Sequence, residues 1–280
     1  MSTDVVVQSG KYKFRIIRNI QKYEDQIITH TYKLGGDYND CVNISYFYNN
    51  NIPIKAKIPH LLYEPECAID SNLERGGGTE LMIKTAIQYA FSQVKTITKF
   101  EFDDNSHIDC VEKNMTLPPP RHPIKPLNLA YFMIAYHGMT WYEAIFNAEM
   151  IDNKKYKLYR KKIEFLTDSK EKPSFKEFLS IIGNFLNSTE IIPYLEKLYN
   201  KTTTYRDFFD AIPKSKRCDI LYFWLTPFMN YYLGSVYSDR DWFIDVTKMN
   251  ENHNSLSGGY KYKGKEYKYR IFSYKTKHNL

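Results

Sequence analysis

A chain of 280 residues has room for one or two domains with a substantial core, and 43% hydrophobic with 25% charged residues is an ordinary globular balance. That balance excludes extensive disorder, and no stretch approaches the roughly 20 apolar residues that span a bilayer. Met1 to Gly10 lacks the basic-then-apolar order of a secretory leader, so no membrane contact and a cytoplasmic location are expected. Net charge is +7, of which +6 falls in residues 247–280, where seven Lys and one Arg stand against Glu251 and Glu266. Attraction to polyanions is therefore expected from that tail and not from the nearly neutral remainder. Cys41, Cys67, Cys110 and Cys218 are spaced 26, 43 and 108 residues apart. That fits neither paired zinc knuckles nor a small disulfide scaffold, and four reduced thiols are expected.

In chain order, Lys11 to Ile17 alternates basic and apolar residues, which predicts a half-buried strand with Tyr12, Phe14 and Ile16 inward and basic side chains suited to a sheet edge. Residues 18–33 read as a helix followed by a strand. Cys41 to Tyr48 and Ile52 to Leu62 form a predicted hairpin around Asn49-Asn50-Asn51, and Glu66 to Asp70 a short strand. From Thr79 the period changes: Met82, Ile83, Ala86, Ile87, Ala90 and Val94 share one helical face. Ile97 to Phe102 returns to strand alternation, giving the order strand, glycine turn, helix, strand. Leu117 to Pro126, with Pro118-Pro119-Pro120, reads as a stiff extended connector.

Beyond it the sequence turns helical. Thr140-x-x-Glu143, Ser174-x-x-Glu177 and the weaker Thr204-x-x-Asp207 mark helix starts. Helices are predicted near 127–137, 141–150, 175–186, 189–199, 205–211 and 216–233, the last kinked at Pro227, followed by a short strand at Trp242 to Val246. Tyr260 to Tyr274 alternates Tyr and Lys around Gly264 as a terminal hairpin would.

Gly76-Gly77-Gly78 stands where a strand gives way to a helix. A helix N-terminus presents unpaired N–H groups and about half a positive charge, which favours an anion such as phosphate. The Walker pattern needs Gly-Lys-Ser/Thr, whereas the chain runs Gly78-Thr79-Glu80, and GxGxxG spacing fails as well. Two readings stay open: a phosphate cradle, or a glycine turn whose dipole Glu80 already complements.

Leu73-Glu74-Arg75-Gly76-Gly77-Gly78, preceded by a hairpin and followed by helix and strand, resembles the Q/R-x-x-G-x-G/A turn of the GNAT-type N-acetyltransferases. Asn128-Leu-Ala130 and Tyr136-His137-Gly138 resemble that family's closing helix. Leu73 stands where Gln or Arg is usual. The resemblance implies a GNAT-like α/β (α+β) fold over residues 1–140 and a mixed central sheet. A helical extension would span 141–246 and a basic Tyr/Lys-rich tail 247–280. It implies acetyl-CoA as cofactor, held by Arg75, Gly76, Gly77, Gly78 and Thr79. N-acetyl transfer to an unknown amine would use Tyr136, or Tyr131, to protonate the leaving thiolate and Glu66, or Glu64, as general base.

Asp103, Asp104, His107 and Asp109 follow a strand and suit general-base work or a hard metal, although a solvated acidic turn accounts for them as well, and no metal is assigned. His137 and the aromatic stripe from Ile220 to Tyr232 read as core. Asp103-Asp-Asn-Ser106 and His137-Gly-Met-Thr-Trp-Tyr-Glu143 also resemble segments of uncharacterised proteins of large cytoplasmic DNA viruses. That implies a viral factory or virion and a helical extension that contacts a protein partner. The alternatives are thus a non-enzymatic interaction protein on a vestigial GNAT-like fold, or a weak single-strand nucleic-acid contact through the tail.

Overall fold

The computed structural model describes residues 3–23, 26–110, 125–168, 172–186 and 191–251. Five strands open it as an antiparallel meander: β1 (Thr3–Ser9), β2 (Tyr12–Tyr23), β3 (Gln26–Gly35), β4 (Asp40–Asn49) and β5 (Ile52–Leu61). Period-two alternation sets their faces, with Tyr12, Phe14 and Ile16 of β2 buried together as predicted. The edge position belongs to β1, however, because Thr3 to Ser9 pairs with Arg18 to Tyr12 and moves β2 inside the sheet. Residues 18–33 are not a helix and a strand but the facing arms of β2 and β3, where cross-strand pairing outweighs a weak helical pattern. The β4–β5 hairpin turns on Asn50 and Asn51, whose φ values of 48° and 62° are those a tight two-residue loop needs.

After β5 the chain forms a 3-10 turn at Pro65–Cys67 and a single bridge between Ile69 and Lys13, in place of the strand predicted at Glu66 to Asp70. Pro65 begins that turn because its missing N–H costs nothing there. Next comes α1 (Gly77–Gln93), which packs on β4, β3 and β1 and returns the chain to β6 (Lys99–Phe102), parallel to β5. β7 (His107–Cys110) and β8 (Lys125–Asn128) pair separately. The proline connector falls in residues outside those described, apart from Lys125 and Pro126 in β8.

The remaining elements are α2 (Leu129–His137), α3 (Trp141–Phe146), β9 (Glu149–Met150), α4 (Asn153–Asp168), α5 (Phe175–Ile182), α6 (Ile191–Asn200), α7 (Tyr205–Ala211), α8 (Arg217–Leu221), α9 (Leu225–Leu233), β10 (Trp242–Asp245) and α10 (Val246–Glu251). β10 pairs antiparallel with β6 and β9 with β10, so the sheet runs β1-β2-β3-β4-β5-β6-β10-β9. The helices between β9 and β10 are thus threaded through the sheet's far edge.

Both expected capping boxes form, at Thr140/Glu143 and Ser174/Glu177, and the weaker start signal at Thr204/Asp207 closes into a third. α4 lies where no helix was predicted. Its Lys-rich run hides Tyr159, Ile163 and Leu166, which are buried at helical spacing, and Asp152 caps it by accepting the Lys154 and Lys155 N–H groups at 2.8 and 3.0 Å. Pro227 does not kink a long helix. The break falls at residues 222–224, and Pro227 sits in the first turn of α9, where no N–H is required. Phe178, Phe208, Trp224 and Phe228 build the core of this half as edge-on and stacked rings, with Phe178 to Trp224 centres 5.4 Å apart.

The expectation of four reduced thiols is corrected. Cys41 and Cys67 form a disulfide with an S–S distance of 2.06 Å, Cys218 is disulfide-bonded too, and no free cysteine occurs among the described residues. A separation of 26 residues carries no information about this pairing. It arises because the β4–β5 hairpin brings the start of β4 beside the chain leaving β5, where the Leu62 N–H donates to the Cys41 carbonyl at 2.8 Å. Among the described residues no helix is long and apolar enough to cross a membrane.

Candidate functional site

Two features lie at the end of the sheet where β2 begins and β5 finishes. One is the glycine turn. Gly76 precedes α1 with φ +84°, a conformation that disfavours any side chain, and a Cβ at Gly76 or Gly77 would meet nothing within 4 Å. At Gly78 a Cβ would stand 3.1 Å from the Leu73 side chain and 3.3 Å from the Tyr12 hydroxyl. The turn is therefore open outward at Gly76 and Gly77 and packed inward at Gly78. The first helical bond runs from the Glu80 N–H to the Gly76 carbonyl at 2.9 Å, so Gly77, Gly78 and Thr79 present N–H groups with no acceptor inside the helix.

The turn is well anchored. The Tyr12 hydroxyl accepts the Glu74 N–H at 3.2 Å, the Tyr63 hydroxyl donates to the Leu73 carbonyl at 3.1 Å, and the Leu73 N–H reaches the Pro65 carbonyl at 2.7 Å. Leu73 is buried as the apolar support beneath Gly78. Arg75 lies 5.4 Å from the centre of the Tyr63 ring. Glu80 pairs with Lys84 one turn on, at 2.5 Å. Its charge therefore leans along the helix toward Lys84.

The second feature is a cleft. β5 and β6 pair from Ala56/Phe100 to Ile58/Phe102, after which β6 ends while β5 runs on to Leu61, and the strands part. A cavity of about 160 Å³ opens there, lined by Lys57, Ile58, Pro59, Glu101, Phe102, Asp103 and Asp241. Glu101 is tied to Lys55 at 2.5 Å, while Asp103 and Asp241 are exposed. The glycine turn rests on Tyr12 of β2, three positions from β5 in the sheet order, or about 14 Å at the usual spacing near 4.8 Å.

Behind the cleft Asp104 is buried. It accepts the Ser106 N–H at 3.2 Å and the Ser106 hydroxyl, and its own N–H donates to the Asp239 carbonyl at 2.5 Å. Burial pushes its carboxyl up to about 6, and the nearby charges of Asp239 and Glu143 add to this. A carboxyl poised there is suited to proton transfer near neutral pH. Glu143 is fully used, accepting from the Thr140 N–H, the Tyr156 and Tyr159 hydroxyls and Arg160.

The other sequence candidates lie apart. Tyr136 is buried on α2 between Phe132 and Phe209, beneath the Arg217 guanidinium at 3.8 Å from its ring centre. Its hydroxyl has no hydrogen-bond partner among the described residues, and burial pushes it well above the usual phenol range. The Tyr131 hydroxyl donates to Asn230 at 2.5 Å. Glu66 is exposed on the 3-10 turn, and Glu64 accepts from Asn39 at 2.6 Å. None of these four lines the cleft. Among the described residues no group of three His, Cys, Asp or Glu could hold a metal ion.

Asp241 was invisible as a site residue because only the long-range pairing of β10 with β6 brings it to Asp103. Its positive φ of 65°, just before the strand, leaves only a faint signature in an Asp-Arg-Asp run. Compared with family models, with curated proteins and with solved structures, the chain has no match.

Proposed function

We propose that this chain is a GNAT-like acetyl-CoA-binding protein in which the N–H groups of Gly77, Gly78 and Thr79 hold the pyrophosphate, Arg75 adds a positive charge, and the acyl end points toward the β5/β6 cleft. The observation that carries this reading is the unit β5, open glycine turn, α1, parallel β6, with a cavity where the two strands part. Transfer to an amine would then draw on a carboxylate of the cleft end, for which the raised carboxyl of Asp104 is better tuned than exposed Glu66.

The test is calorimetry with acetyl-CoA on wild type and Gly77→Asp. A side chain at Gly77 meets open space, and an acidic residue in a first helical turn does not harm the helix, so the variant keeps its fold while repelling phosphate. Saturable heat with wild type and at least tenfold weaker binding with the variant is expected. No heat at millimolar ligand, or indistinguishable proteins, sinks the reading.

A second reading, a non-enzymatic interaction protein, is favoured by a different observation. A shallow groove of about 610 Å³ between α5 and α9 exposes Phe185 and Tyr231 beside Ile181 and Pro227. It predicts a soluble complex and no acetyl-CoA heat. The nucleic-acid contact expected of the basic tail lies outside the described residues.

A further inference from the structure

Midway along β2, β3 and β4, under the last turns of α1, a second polar cluster is built into the core face. Arg18 of β2 stands across from Tyr32 of β3, and His30 of β3 across from Tyr46 of β4. The His30 ring stacks on Tyr32 with centres 4.7 Å apart, and Tyr32 meets Tyr46 and Tyr89 edge-on at 6.1 and 5.8 Å. Tyr89 is twelve residues along α1 from Gly77, about 18 Å at 1.5 Å per residue, so this cluster is separate from the glycine turn.

Two facts set its chemistry. The Arg18 Nε–H donates to His30 Nε2, which must therefore carry a lone pair, and His30 Nδ1 lies 3.4 Å from the Tyr48 hydroxyl. The imidazole is thus neutral, in keeping with the burial and the Arg18 charge that push it down to about 4. Arg18 is only half-buried, and its Nη groups make no ion pair with any described carboxylate. The Tyr32 and Tyr46 hydroxyls are buried and have no hydrogen-bond partner among the described residues, a costly arrangement for two phenols whose rings are in contact.

We propose that Arg18, Tyr32 and Tyr46, walled by His30, Tyr48 and Tyr89, form a binding site for a small carboxylate. One fixed positive charge with a neutral imidazole matches a monoanion, whereas a phosphate dianion would leave a negative charge buried and uncompensated. A carboxylate has two oxygens for the Arg18 Nη donors and further lone pairs for the two phenols.

The experiment is calorimetry and thermal unfolding of the full chain at pH 7.5 in sodium acetate, against sodium chloride at equal ionic strength, with inorganic phosphate as a separate arm. Acetate should give a saturable rise in Tm and saturable heat. Arg18→Gln should abolish both, and Tyr32→Phe/Tyr46→Phe, which preserves shape and removes only the two hydroxyls, should bind at least tenfold more weakly. Acetate acting no differently from chloride, the double phenylalanine variant binding as wild type does, or phosphate binding more tightly than acetate would each overturn the assignment.

Discussion

The cleft end of the sheet and the middle of strands β2 to β4 bury polar groups of opposite sign. At the cleft end the groups are carboxylates, Asp104 within reach of Asp239 and Glu143, and burial raises Asp104 to about 6. In the middle of β2 to β4 they are a guanidinium, an imidazole and phenols, and burial lowers His30 to about 4. In both places desolvation favours the neutral form, because a charge taken from water is repaid only by a good partner. The cleft end is also pinned covalently, by Cys41–Cys67, while the region around His30 rests on packing and hydrogen bonds.

Removing that pin should produce the largest effect. Cutting the cross-link across a 26-residue separation, with Cys41→Ser and Cys67→Ser together, should cost about 3.5 kcal/mol in the chain-entropy treatment of disulfides. Urea unfolding of the double variant measures it. The glycine turn should loosen with it, since Leu73 hangs on Pro65 beside Cys67, and hydrogen exchange at Leu73 and Glu74 should rise more than at His30. Equal loosening in both regions would erase the contrast.

The two buried titrating groups should show opposite pH dependence. His30 binds its proton near 6.5 when unfolded but only near 4 when folded, so its contribution is intact above pH 6.5 and is lost as the pH falls from 6.5 to 4. The loss is up to about 3 kcal/mol, because each pH unit between those two values is worth roughly 1.4 kcal/mol. His30→Gln keeps an acceptor for Arg18 and should remove this contribution to the unfolding free energy measured between pH 4 and 7.

Asp104 runs the other way, because its folded value near 6 exceeds the unfolded 3.8, and stability from this group grows as the pH falls from 6 to 4. Asp104→Asn should stabilise the fold at pH 8 by about 3 kcal/mol and abolish that gain. In wild type the two slopes oppose each other, so the profile between pH 4 and 6 should be nearly flat, and each single variant should expose the other group. A wild-type profile that stays flat in both variants would show that neither burial matters.

Much of the strand half was legible because period-two alternation, the Asn turn and the period change after Thr79 are local signals. The capping boxes were legible for the same reason. What the sequence hid was non-local. Cys41 and Cys67 meet only through the β4–β5 hairpin, and Asp241 joins Asp103 only through β10, which follows β6 by some 140 residues. Arg18 and His30 were lost inside the stretch read as helix then strand, since a register shift at Gln21/Lys22 blurs its alternation. α4 was missed because six basic side chains mask a narrow apolar stripe.

The smallest expected effect tests how far Asp104 depends on its neighbours. Thr140→Ala removes the hydroxyl that accepts the Glu143 N–H at 3.2 Å and so one half of the capping box, which should cost about 1 kcal/mol in urea unfolding. The Glu143 carboxylate keeps the Thr140 N–H, Tyr156, Tyr159 and Arg160, so its charge should stay where it is. The titration midpoint of Asp104, followed by carboxyl NMR shift, should then remain near 6. A midpoint that falls toward 3.8 with Thr140→Ala would mean that the cap, and not burial behind the cleft, holds this carboxyl up, and the contrast between the cleft end and the cluster around His30 would lose its physical basis.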